Sequence, residues 1–143
     1  MSRYEMTITP KQGKEFKVPA VDHVGWGVSR PPGPGGNIGL SGHVIEPISI
    51  SRIRSLPDDK GRSDQENELI SLSAAVGQAA LFKGEIRIFP VDDETTVLKV
   101  LRFERGHISS LGCTVNDHDI IERIQITVAD LQVNDTKFKQ AAR

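Results

Sequence analysis

Apolar residues return at every second position in one segment of this chain after another, and a period of two commits the backbone to β-strands. Tyr4, Met6 and Ile8 share one side of residues 4–9, opposite Glu5, Thr7 and Thr9, and Pro10 and Gly13 then turn the chain into a hairpin. Even parity continues through Phe16, Val18, Ala20, Val24, Trp26 and Val28, with Lys17, His23 and Ser29 opposite. Pro19 has no amide to donate, and Gly25 and Gly27 weaken a ladder. This second strand is therefore predicted to lie at an edge, carry a bulge or allow a close backbone approach. A third strand is read from Val44, Ile48 and Ile50, with Ser49 and Ser51 facing the other way, and it stops at Leu56-Pro57-Asp58-Asp59.

One segment breaks the pattern. Ser63-Asp64-Gln65-Glu66 forms a capping box, in which the Ser63 hydroxyl accepts from the Glu66 amide and the Glu66 carboxylate reaches back to the Ser63 amide. Leu69, Leu72, Ala75 and Val76 follow at helical spacing, and Gly77 supplies a left-handed closing residue. The helix is predicted over about residues 64–76, with Asp64 opening it and Val76 ending it. Alternation then resumes at Phe82, Gly84, Ile86 and Ile88, against Lys83, Glu85 and Arg87, and stops at Pro90 and the acidic turn Asp92-Asp93-Glu94.

A long strand is read from Thr95 to about Leu111. Its Val97, Leu98, Val100, Leu101 and Phe103 leave little polar face, so cover from outside the chain's own core is expected. The final strand runs over residues 120–133, where Ile124, Ile126 and Val128 give way to Leu131 and Val133. That parity switch predicts a bulge at Ala129. The fold class that results is mainly β: a small sandwich or barrel of about six to seven antiparallel strands, with one short helix plugging or flanking it. The length of 143 residues suits one domain.

Residues 30–42 hold three prolines and five glycines without periodicity, which makes them a long exposed loop. Prolines interleaved with Gly33, Gly35, Gly36 and Gly39 remove amides, and no GK[ST] follows, so phosphate binding is not expected. A formal net charge of -1 provides no field for nucleic acid. No apolar run reaches signal-peptide or membrane-spanning length, so a cytosolic start without membrane insertion is expected. Cys113 is the single cysteine, which excludes an intrachain disulfide and a CxxC site. His23, His43, His107 and His118 fall in no HExxH or HxH arrangement, and Asp117-His118-Asp119 reads as a turn before a strand. Neither a metal nor another cofactor is expected, and no catalytic constellation is legible, so the chain is read as a non-enzyme. A surplus of apolar strand surface points to an assembly subunit.

The order of these segments resembles the type VI secretion tube proteins, the haemolysin-coregulated protein (Hcp) family. The resemblance spans residues 4–135. It rests on the strand end Trp26-Gly27-Val28-Ser29, the Gly-rich loop, the strand Ile48-Ser49-Ile50-Ser51-Arg52 and the helix Glu68-Leu69-Ile70-Ser71-Leu72-Ser73-Ala74-Ala75. The strand Lys83-Gly84-Glu85-Ile86-Arg87-Ile88, a long strand and the final strand Glu122-Arg123-Ile124-Gln125-Ile126-Thr127-Val128-Ala129-Asp130-Leu131-Gln132-Val133 complete it. It implies a barrel with one helix that forms a homohexamer, whose rings stack into the inner tube of a contractile machine. It also implies a spike protein of the VgrG type at the tip, a sheath outside, and small effectors in the lumen. Synthesis in the bacterial cytoplasm and export without a signal peptide follow from it as well.

On this reading the loop residues Pro31, Pro32, Gly33, Pro34, Gly35, Gly36, Asn37 and Ile38 reach the adjacent ring. Leu98, Val100, Leu101, Ile124 and Ile126 meet lateral neighbours. The competing expectations are a monomeric or dimeric barrel that binds a small ligand under the Gly/Pro loop, an enzyme using Cys113, and a contractile phage tail tube subunit.

Overall fold

A computed structural model describes residues 2–30, 42–55, 64–90 and 96–140. Strands β1 (Ser2–Pro10) and β2 (Phe16–Val18) form the expected opening hairpin, with Met6 opposite Val18 and Ile8 opposite Phe16. There follow β3 (Val21–Gly25), β4 (Val28–Ser29), β5 (Val44–Ile45) and β6 (Ile48–Ser55). After helix α1 (Asp64–Ala74) come β7 (Phe82–Pro90), β8 (Lys99–Val115), β9 (Asp119–Val128), β10 (Asp130–Val133) and β11 (Thr136–Lys139). The described residues thus hold eleven strands where six or seven were read, because the long alternating runs are cut at corners.

The first cut explains the architecture. The even parity of residues 16–28 breaks at Pro19 and Ala20, where Ala20 takes φ 63° and the chain leaves one strand for another. Hydrogen-bonded strands run in the order β2-β1-β7-β8-β9-β6-β3, so β2 and β3 stand at opposite ends of the path. In a flat sheet those ends would lie about 29 Å apart, at roughly 4.8 Å per step. Yet Val18 and Val21 are three residues apart, which allows about 11 Å at most. The sheet must therefore roll until its ends meet, and the result is a barrel-like β fold.

The second cut is shared by two strands. Across their junction β9 and β10 run antiparallel to β8 in one register, since Gly106 faces Val128 and Arg102 faces Gln132; the β8–β9 register shifts only farther along, between Ile108 and Ser110. Inward residues on β8 switch from Leu101 and Phe103 to Gly106 and Ile108. On the partner they switch from Val128 to Leu131. The predicted interruption at Ala129 is thus a joint kink rather than a one-sided bulge. Asp130 holds it: its carboxylate accepts from the Glu104 amide (3.1 Å) and the Arg105 amide (3.2 Å), while the Ala129 amide donates to the Arg105 carbonyl. Relative to β7, β8 carries one extra residue at the same place, between Phe103 and Gly106. A 17-residue strand can in this way serve both halves of the barrel.

The core is built from Ile, Leu, Val and Phe with Met6, and α1 adds Leu69 and Leu72 to it. Gly77, at φ 65°, follows the helix as expected, although α1 itself ends at Ala74. Ser63 of the capping box lies outside the described residues. One buried group was not read from the sequence. Arg52 on β6 is fully buried, pairs in register with Glu122 on β9, and meets its carboxylate at 3.4 Å. Its Nε donates to the Pro19 carbonyl at 2.8 Å, so a single guanidinium ties β6 to β9 and to the corner between β2 and β3.

Candidate assembly surfaces

Among the described residues no group of three or more His, Cys, Asp or Glu side chains could hold a metal ion. No described helix is long and apolar enough to cross a membrane. Cys113 is exposed and faces Glu122 across the ladder. His107 stands six positions back on the same strand, about 20 Å away at strand rise, so the ladder does not bring this imidazole to the thiol. Asp117-His118-Asp119 forms the expected turn: the Asn116 side-chain carbonyl accepts from the His118 amide (2.8 Å) and the Asp119 amide (2.7 Å). The acidic turn at Asp92 and Asp93 lies outside the described residues.

A concavity of about 440 Å³ lies over the solvent face of β2, β1, β7 and β8. Its charges are mixed, with Glu5, Glu15, Glu85 and Glu104 interleaved with Lys17, Lys83, Arg87 and Arg102. Glu85 accepts from Arg102 Nε at 3.1 Å and from Arg87. Partial burial works against ionising Glu85. Hydrogen bonds from Arg87 and Arg102, with the charges of both guanidinium groups, outweigh it and hold the carboxyl below the ordinary glutamate range. A face so neutralised offers no single-sign field for a charged ligand.

The predicted contact residues separate into three groups. Pro31, Pro32, Gly33, Pro34, Gly35, Gly36, Asn37 and Ile38 lie outside the described residues, but their flanks are fixed: β4 pairs with β5, with Ser29 opposite Val44. The lateral set needs correction. Leu101, Ile124 and Ile126 are at most 1% exposed and pack in the chain's own core, so they are not free to meet a neighbour. The dense apolar run of the long strand hid which parity faces in. Leu98 is 54% exposed and Val100 half-buried, so these two keep solvent-facing apolar surface at the start of β8, beside the exposed Val97.

More apolar surface lies where none was read, at the far end of β8. This strand runs past Leu111 to Val115 and forms with β9 a hairpin whose residues 112–118, the end of β8 and the turn, are all exposed. Val115 is 63% exposed, and Ile53 at the end of β6 is 45% exposed opposite the half-buried Ile121. A signal for Ile53 was present. With Ile48 and Ile50 facing in, an odd-numbered isoleucine on the same strand must face out.

No family model matches the chain, and no curated protein matches it in sequence. Solved structures do match in fold. Hcp1 from Flavobacterium johnsoniae superposes with a TM-score of 0.62 at 14% identity, covering 95% of this chain and 99% of that one. The secreted protein Hcp3 from Pseudomonas aeruginosa gives 0.60 at 13% identity, over 99% of this chain and 100% of the other. A type VI secretion system effector from Yersinia pestis gives 0.58 at 10% identity, over 94% and 98%. The chain therefore has the fold of the Hcp proteins along nearly its whole length.

Proposed function

We propose that this chain is a structural tube subunit of a type VI secretion system, acting as one unit that forms hexameric rings, which stack into the inner tube. The observation that carries this reading is a fold shared end to end with Hcp proteins, a secreted one among them, with neither partner of the comparison carrying a large extra segment. Exposed apolar side chains, at Ile53 and Val115 on strands and at Leu98 just before β8, suit a chain whose function is to bury surface against copies of itself. On this reading the chain is not an enzyme and needs no cofactor. It leaves the cell through the machine, with a VgrG-type spike ahead, the contractile sheath around it and small effectors in the lumen. Residues 31–38 reach the next ring.

The test is the solution mass of the purified chain, by light scattering behind a sizing column across a concentration series. A stable species at six times the 15.7 kDa protomer mass is expected. A monomer at every concentration would overturn self-assembly as an intrinsic property of the chain.

A further inference from the structure

An open sheet edge presents unpaired backbone N–H and C=O groups, and soluble proteins block such edges with charge, proline, bulges or very short strands. Among the described residues this chain blocks nearly all of its edges. β2 is three residues long and lies between Glu15 and Pro19, with Lys17 at its centre; β3 carries a register shift around Asp22; β11 places Lys137 and Lys139 on the outer strand of its hairpin. β8 beyond Gly106 is different. There β7 has ended, so residues 107–115 have one strand neighbour among the described residues, β9; helix α1 also packs against β8, and residues 112–115 are exposed nonetheless. The segment Ile108-Ser109-Ser110-Leu111-Gly112-Cys113-Thr114-Val115 contains neither a charged residue nor a proline. Its last four residues are all exposed.

We propose that this edge of β8, around residues 110–115, is where a strand from a second copy of the chain adds. The chemistry of the edge selects extended backbone as the ligand, because a row of free amides and carbonyls is satisfied by another strand and by little else. A second copy fits better than a charged peptide, since the segment has no charge to attract one and a net charge of -1 puts little repulsion between copies. Exposed Val115 at the tip adds apolar area that the incoming copy covers. The inference rests on the self-assembly reading and names the surface that serves it.

Edge-blocking variants test it. A side chain built at Gly112 meets nothing within 4 Å, so Gly112→Lys is tolerated within the protomer, and Ser110→Lys is likewise at an exposed position. Both variants are expected to keep the wild-type thermal midpoint as protomers and to raise the concentration needed for assembly at least tenfold. In parallel, the rate at which a bulky thiol reagent modifies Cys113, exposed in the protomer, is expected to fall at least tenfold once wild-type chain assembles. A wild type that assembles while both variants assemble equally well, or while Cys113 stays as reactive as in the protomer, overturns the edge proposal alone. A wild type that never assembles overturns the self-assembly reading and this proposal with it.

Discussion

The Arg52 guanidinium donates to the Pro19 carbonyl at 2.8 Å, across the seam where the first and last strands of the rolled sheet are joined. The same side chain is paired with Glu122, and both are buried. Removing one partner of such a pair leaves a charge without compensation in a dry interior, at a cost of about 3–5 kcal/mol, while replacing both by apolar groups of similar volume is often neutral. Glu122→Gln and Arg52→Met are each expected to lower the urea midpoint strongly, and Arg52→Met combined with Glu122→Leu to recover part of the loss. Two independent, additive losses in the double variant would show that the pair is not a coupled unit.

A second prediction concerns Phe103, whose ring covers Gly84 on β7. A Cβ at Gly84 would lie 2.5 Å from the Phe103 Cζ, well inside any contact distance. Gly84→Ala is expected to destabilise by about 1–3 kcal/mol through overpacking. Phe103→Leu frees the space, so the alanine should cost much less in that background, as equilibrium unfolding of the four species would reveal. An equal cost in both backgrounds would mean the ring is not what excludes a side chain.

The joint kink of β8 with β9 and β10 depends on Asp130, which accepts from two amides that the ladder leaves over. Asp130→Ala removes both acceptors and is expected to cost about 1–3 kcal/mol. Asp130→Asn keeps one carbonyl oxygen and should lie between. Amide exchange read by NMR should quicken first at Glu104 and Arg105. Unchanged exchange there with a fall elsewhere would assign the loss to another cause.

Acid should weaken the fold in part through Glu85. Its carboxyl is held below the ordinary glutamate range in the folded state, so the folded chain binds fewer protons than the unfolded chain in that window. Its contribution is complete above the unfolded value and is lost as pH falls through the folded one. Because Glu85 is partly exposed, the effect is small and screened by salt. Urea midpoints measured from neutral pH downward should converge for wild type and Glu85→Gln at the acid end. A constant gap would remove Glu85 from the acid response.

Alternation made the strands, the hairpin of residues 4–18 and the inward set Met6, Ile8, Ile48 and Ile50 legible, because a half-buried strand must sort its side chains by parity. The roll of the sheet was not legible. It follows from which strands pair, and the local sign of it, Pro19 before a left-handed Ala20, reads in sequence only as a weak strand. Arg52 and Glu122 were hidden for a related reason, since charged residues on a strand are read as solvent-facing until register sets them against each other. The assembly residues were half legible: Leu98 emerged where surplus apolar surface was expected, whereas the arm of β8 and β9 required knowing where β7 stops.

Sorting the long strand by parity yields the last prediction. Leu98, just before β8, and Leu101, within it, are three positions apart, yet one is 54% exposed and the other buried in the core. A carboxylate at Leu98 remains in water and should leave the protomer folded, with a thermal midpoint near wild type and weaker self-association if this surface is used between copies. A carboxylate at Leu101 has no partner in an apolar interior and carries a desolvation cost comparable to the whole stability of a domain this size. Circular dichroism should therefore show Leu98→Asp folded and Leu101→Asp unfolded. A folded Leu101→Asp chain would place the inward face of β8 on the wrong parity, and with it the division between core and contact surface.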